Sequence, residues 1–120
     1  MTPEELRKGS QAFAIGVIRL CEKLPAGRAS EVLGKQLMRS ATSVGAKYRA
    51  ACRARSGAEF QAKLCIVVEE ADETCYWLEL LGESGTASVE GGLFREADEL
   101  VRIFSASLRT VRKNRSESHE

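Results

Sequence analysis

Residues 36–81 read QLMRSATSVGAKYRAACRARSGAEFQAKLCIVVEEADETCYWLELL, two apolar stripes separated by one break. Leu37, Ala41, Val44, Tyr48 and Ala51 recur at steps of three and four, and Leu33 extends the series upstream. That spacing puts them on one face of an α-helix. Phe60, Leu64, Val67, Ala71, Thr74, Leu78 and Leu81 repeat the pattern in the second half. Between the two lies Ser56-x-x-Glu59, a capping-box pattern that starts a helix. The spacing therefore predicts helices over 28–54 and 57–82. Gly45 sits mid-helix among Ser40, Ala41, Ser43 and Ala46. Glycine costs about 1 kcal/mol there relative to alanine, and close approach of another helix would compensate.

Working outward, Thr2-x-x-Glu5 is another capping box, with Pro3 at the first helical position, where its missing N–H costs nothing. Leu6, Phe13, Val17, Leu20 and Leu24 share one side, and Pro25 and Gly27 break the pattern, so a helix is predicted over 3–24. On the other flank, Gly82 and Gly85 end the third helix. Phe94, Ala97, Val101, Phe104, Leu108 and Val111 then form a heptad-like seam, predicting a helix over 90–112. The polar stretch 114–120 lacks periodicity and is expected to be a disordered tail. The predicted fold is all-α: an antiparallel up-down-up-down four-helix bundle formed by one domain, residues 1–113.

Composition narrows the function classes. The only histidine is His119, which removes Ser-His and Cys-His catalysis and any histidine-containing metal site. No P-loop or G-x-G-x-x-G occurs, and Gly91-Gly92 reads as a helix-entry loop. The carboxylates Glu69, Glu70, Asp72 and Glu73 lack the Glu-x-x-His pairs of a bundle dimetal site, and read as a solvated or interface face. Cys21, Cys52, Cys65 and Cys75 form no C-x-x-C pair and read as reduced hydrophobic fillers. No secretory signal or membrane-length apolar run occurs, so the expectation is a cytoplasmic protein with no membrane role, no cofactor and no enzymatic activity.

Charge is the informative feature. The net charge is only +1, but six bases and no acid lie between Lys35 and Arg55, while ten acids and one base lie between Glu69 and Glu99. At about 100° per residue, Arg28, Lys35, Arg39 and Arg53 fall within roughly 40° of one another, with Arg49 beside them, opposite the core stripe. Lys47 and Arg55 add to this basic helix. Glu69, Asp72, Tyr76, Glu79 and Glu83 cluster opposite the core stripe of the next helix, with Tyr76 as a bulky interface anchor. Three readings fit: solvated faces, a basic ridge meeting an acidic face of another subunit, or bases contacting phosphates. Arg39 is expected to be partly buried against Glu73 or Glu70.

The run Arg-Ser-Ala-Thr-Ser-Val-Gly-Ala (39–46), the Ala58-Glu59-Phe60 helix start, and Glu70-Ala71-Asp72-Glu73-Thr74 followed by Tyr76-Trp77-Leu78-Glu79-Leu80-Leu81 resemble the ribosomal-RNA intervening-sequence protein family. Family members usually carry Asn at the position of Lys47 and Glu at that of Ala50, so this helix is more basic than its relatives'. The resemblance implies an antiparallel bundle assembling into a homo-oligomer, often a five-membered ring. Similar bundles include the accessory protein of diversity-generating retroelements, which binds a reverse transcriptase and nucleic acid. The expectation is a non-enzymatic homo-oligomeric scaffold associated with RNA, DNA or a nucleic-acid-processing protein. The nucleic-acid candidates are Arg28, Lys35, Lys47, Arg49, Arg53 and Arg55, supported by the basic set from Arg109 to Arg115. The interface candidates are Tyr76, Glu69, Asp72 and Glu79. The alternative is a purely structural self-assembling protein.

Overall fold

The computed structural model describes residues 1–89 and 91–118. Among these residues four helices follow one another: α1 Pro3–Glu22, α2 Arg28–Cys52, α3 Gly57–Glu83 and α4 Gly91–Ser118. Each packs on its neighbours in sequence, most extensively α2 on α3, and α4 returns to touch α1 along a narrower seam. The result is a rod of 53 × 22 × 21 Å. Facing positions run in opposite directions: Ser10 lies by Gly45 while Cys21 lies by Gly34, and Gln61 faces Arg115 while Cys65 faces Arg112. The bundle is therefore antiparallel, and no strand occurs among the described residues.

The caps follow the sequence locally. Thr2 Oγ1 accepts from Glu5 N at 3.1 Å and Thr2 N donates to Glu5 Oε1 at 3.0 Å, which holds the Glu5 carboxyl below its usual range. At α3 only half of the expected box forms. Ser56 Oγ accepts from Glu59 N at 3.1 Å, but the Glu59 carboxylate turns to Arg55 at 3.3 Å. Gly85, at φ 73°, reverses the chain after α3, where its N–H reaches Gly82 O at 3.1 Å.

Leu37, Val44, Leu64, Val67, Leu78, Leu81, Val17 and Phe104 are sealed from solvent, with the Tyr48 and Phe104 rings 5.0 Å apart across the bundle. Two sequence expectations need correction. On α4 the buried series is Ala97, Leu100, Phe104 and Leu108, whereas Phe94 is exposed and Val101 and Val111 lie half-buried at the margin. Leu93 takes the inward place instead, against Gly16 of α1, which turns Phe94 about 100° outward. The tail is the second. Residues 114–118 continue α4, because Arg115 reaches the Gln61 side chain on α3 and ties the last turn down. Residues 119–120, including His119, lie outside the described residues.

Candidate functional site

α2 carries most of the candidate residues, and its two sides differ. On the side toward α3, Arg39 lies between two carboxylates. Its guanidinium donates to Glu73 Oε2 and, at 3.4 Å, to Glu70 Oε1, while its Nε reaches Gln36 Oε1 at 3.2 Å. The same Glu73 oxygen accepts from Trp77 Nε1 at 2.9 Å. The Arg39 side chain is 48 % exposed, against 15 % for Glu70, so the pair closes the rim of the α2–α3 seam rather than its interior. Just inside it, Thr74 Oγ1 lies 3.0 Å from Ser40 Oγ, and both residues are fully buried. The Glu73-x-x-x-Trp77 spacing is the sequence signal for the indole's part in this network, since residues four apart are neighbours on a helix.

The remaining bases separate into two groups. Arg28, Lys35, Lys47, Arg49 and Arg53 are exposed and pair with no carboxylate among the described residues. Arg55 is exposed but engaged by Glu59. Arg28, Lys35 and Arg53 line up opposite the core face, Arg49 leans toward α1, and Lys47 stands roughly 100° around the helix from Arg28. The structure thus joins four of the six candidates in one ridge and sets Lys47 and Arg55 apart from it. At the far end of α4, Arg112 reaches Cys65 Sγ at 3.4 Å and Arg115 reaches Gln61, so both lean onto α3, while Arg109 and Lys113 are exposed.

The outer face of α3 is acidic. Glu69, Asp72, Tyr76 and Glu79 are all exposed, and the Tyr76 ring meets Trp77 edge-on with centroids 5.0 Å apart. Half-buried Cys75 lies beside them. Burial first, then the charges of Asp98, Asp72 and Glu79, push its thiol up to about 11. Among the described residues no group of three or more His, Cys, Asp or Glu side chains is placed to hold a metal ion. No helix among them is long and apolar enough to cross a membrane.

With this geometry in place, known proteins supply the context. The family model described as 23S rRNA-intervening sequence protein matches residues 5–106. The chain belongs to that family. A crystal structure of a protein of unknown function from the S23 ribosomal protein family of Bacteroides thetaiotaomicron VPI-5482 superposes with a TM-score of 0.82 at 32 % identity. The superposition covers 91 % of this chain and 99 % of the other. No curated protein matches. The family match takes in the α2 ridge, the Arg39 network and the acidic face, and stops short of the basic last turns of α4.

Proposed function

We propose that this family member is a non-enzymatic, cytoplasmic, self-associating scaffold that engages the phosphate backbone of RNA or DNA as an accessory to a nucleic-acid-processing protein. The observation that carries this reading is the state of the α2 bases. Arg28, Lys35, Arg49 and Arg53 line one exposed flank and no carboxylate among the described residues pairs with any of them, although acids are abundant on α3. Unpaired cations in a row suit phosphates spaced along a chain, and such contacts are insensitive to base sequence.

A single protomer has a net charge of +1 and would bind poorly. Assembly supplies the remedy, because a closed ring repeats the patch and sums weak contacts on one strand. Exposed Tyr76, set among Glu69, Asp72 and Glu79, supports α3 as the contact with the next subunit. Acidic and basic faces lie on different helices, which favours heterologous contacts closing into a ring, with five members as family resemblance implies.

The test is fluorescence anisotropy with labelled oligonucleotides at low salt, comparing the native protein with the Arg49→Glu/Arg53→Glu variant, alongside light scattering of both. The reading requires an oligomeric mass in each case and loss of binding in the variant. Unchanged binding by the variant with its oligomer intact rejects this surface. An oligomer that binds no oligonucleotide leaves a purely structural role.

A further inference from the structure

α1 and α2 do not close flush along their outer edge. A cleft of about 750 Å3 runs between them, far larger than a site for a single water or ion. Its floor is made of small residues, Ser10 from α1 and Gly45 and Ala46 from α2, which is why the surface is concave there. One rim carries Arg49 and Arg53, and the other carries Arg7, Lys8 and one acid, Glu4. Lys8 is engaged by Glu4 at 3.3 Å, whereas Arg7 pairs with no carboxylate among the described residues. Three uncommitted guanidinium groups from two helices therefore converge on one cleft, and only two of them belong to the basic ridge of α2.

We infer that this α1–α2 cleft is the channel for a single-stranded phosphodiester chain, with Arg7 as the contact that α1 contributes. The inference rests on the nucleic-acid reading above and deepens it, because it moves the binding site from the outer ridge of α2 into the cleft. Helices packed side by side have axes about 8–10 Å apart. A duplex can touch only the rims of a cleft between such neighbours, whereas one extended backbone can enter. Among the described residues no aromatic side chain lines the cleft, so bases find no stacking platform there and the chain is held by its phosphates. Arginine suits this, since its planar fork meets two phosphate oxygens at once. Arg19 shares α1 with Arg7 and is exposed but lies outside the cleft, so under this inference it contributes only through its distant charge.

The cleft also contains its own reporter. Cys52 lines one end and is exposed, whereas Cys21, Cys65 and Cys75 are half-buried. A strand in the cleft covers the Cys52 thiol.

The experiment is an anisotropy titration of fluorescein-labelled oligothymidylate at low salt with the native protein, Arg7→Glu and Arg19→Glu, two variants with the same change in charge. The expected result is a loss of about tenfold or more for Arg7→Glu and less than about threefold for Arg19→Glu, the difference between a direct phosphate contact and a remote charge. In parallel, maleimide labelling of Cys52 slows when unlabelled oligothymidylate is added to the native protein. Binding by the native protein that Arg19→Glu weakens as much as Arg7→Glu overturns the cleft while leaving the nucleic-acid reading intact. So does binding with Cys52 labelled at an unchanged rate. Failure of the native protein to bind at all overturns both.

Discussion

Thr74 Oγ1 and Ser40 Oγ lie 3.0 Å apart in the otherwise apolar seam between α2 and α3, both sealed from solvent. Each hydroxyl also reaches a carbonyl of its own helix: Glu70 O at 2.7 Å from Thr74 and Leu37 O at 3.2 Å from Ser40. With one proton each, the two hydroxyls can fill the bridge and one of these carbonyl contacts together, so the pair joins two helices without leaving either hydroxyl unsatisfied, which is what makes it tolerable in a core. Replacing Thr74 with Val keeps the shape and removes the bridge. Urea unfolding should show a loss of about 1 kcal/mol for Thr74→Val. The Ser40→Ala/Thr74→Val double variant should lose less than the two single losses added together. Strict additivity would mean that the hydroxyls do not interact.

Gly45 gives the opposite expectation for stability. α1 does approach it, but a β-carbon there would stand 3.4 Å from Ser10 Cβ, an ordinary contact. Close packing thus leaves room for one methyl group. Gly45→Ala should raise stability by up to about 1 kcal/mol through helix propensity. Gly45→Leu should destabilise, because the longer side chain has the Ser10–Gln11 backbone in its path. A lower melting temperature for the alanine variant would show the contact to be tighter than it is here.

The Arg39 bridge to Glu70 and Glu73 is half-exposed, and its contribution should be modest and sensitive to salt. Arg39→Ala is expected to cost up to about 1 kcal/mol at low ionic strength and less in about 1 M salt, where charges are screened within about 3 Å. Trp77 shares Glu73 with Arg39, so its emission should shift in the variant. A loss that persists undiminished at high salt would point to packing of the arginine stem instead.

Alkaline pH should expose the burial of Cys75. Its thiol is pushed up from 9.0 to about 11 in the fold, chiefly by burial and then by Asp98, Asp72 and Glu79. The folded state therefore holds a proton that the unfolded chain releases. Stability from this group is complete below pH 9 and is lost as the pH rises toward 11. Tyr48, raised from 10.0 to about 12 mainly by burial, extends the loss upward. The urea midpoint should fall across this window, and fall less in Cys75→Ala. A midpoint that does not move between about pH 9 and pH 11 would contradict the burial of both groups.

The fold was legible because its determinants are local. Stripes at helical period, proline and glycine breaks and the Thr2–Glu5 box place α1, α2 and α3 within two residues of their observed ends. On α4, a strict 3.5-residue repeat picked Phe94 and Val101. The buried series 97, 100, 104 and 108 averages closer to 3.6, as a nearly straight helix does, and this admits Leu100. The helical 114–118 turn was hidden because a polar segment reveals its order only through a tertiary contact, here Arg115 with Gln61. Likewise no sequence pattern marks Ser10 as buried, and it is the approach of Gly45 that seals it. The ridge from Arg28 to Arg53 could be drawn on one helix from sequence alone. Its relation to Arg7 could not, because the register of α1 against α2 is set by side-chain packing rather than by either helix alone.

The central claim is that phosphates are the ligand, and the salt dependence of oligonucleotide affinity tests it most directly. Each phosphate neutralised on a single strand contributes about −0.7 to the slope of log affinity against log salt concentration. The account predicts measurable binding at low salt and a linear decline whose slope corresponds to several phosphates on the native oligomer. An affinity that stays flat with salt, or no binding at the lowest ionic strength, would contradict it.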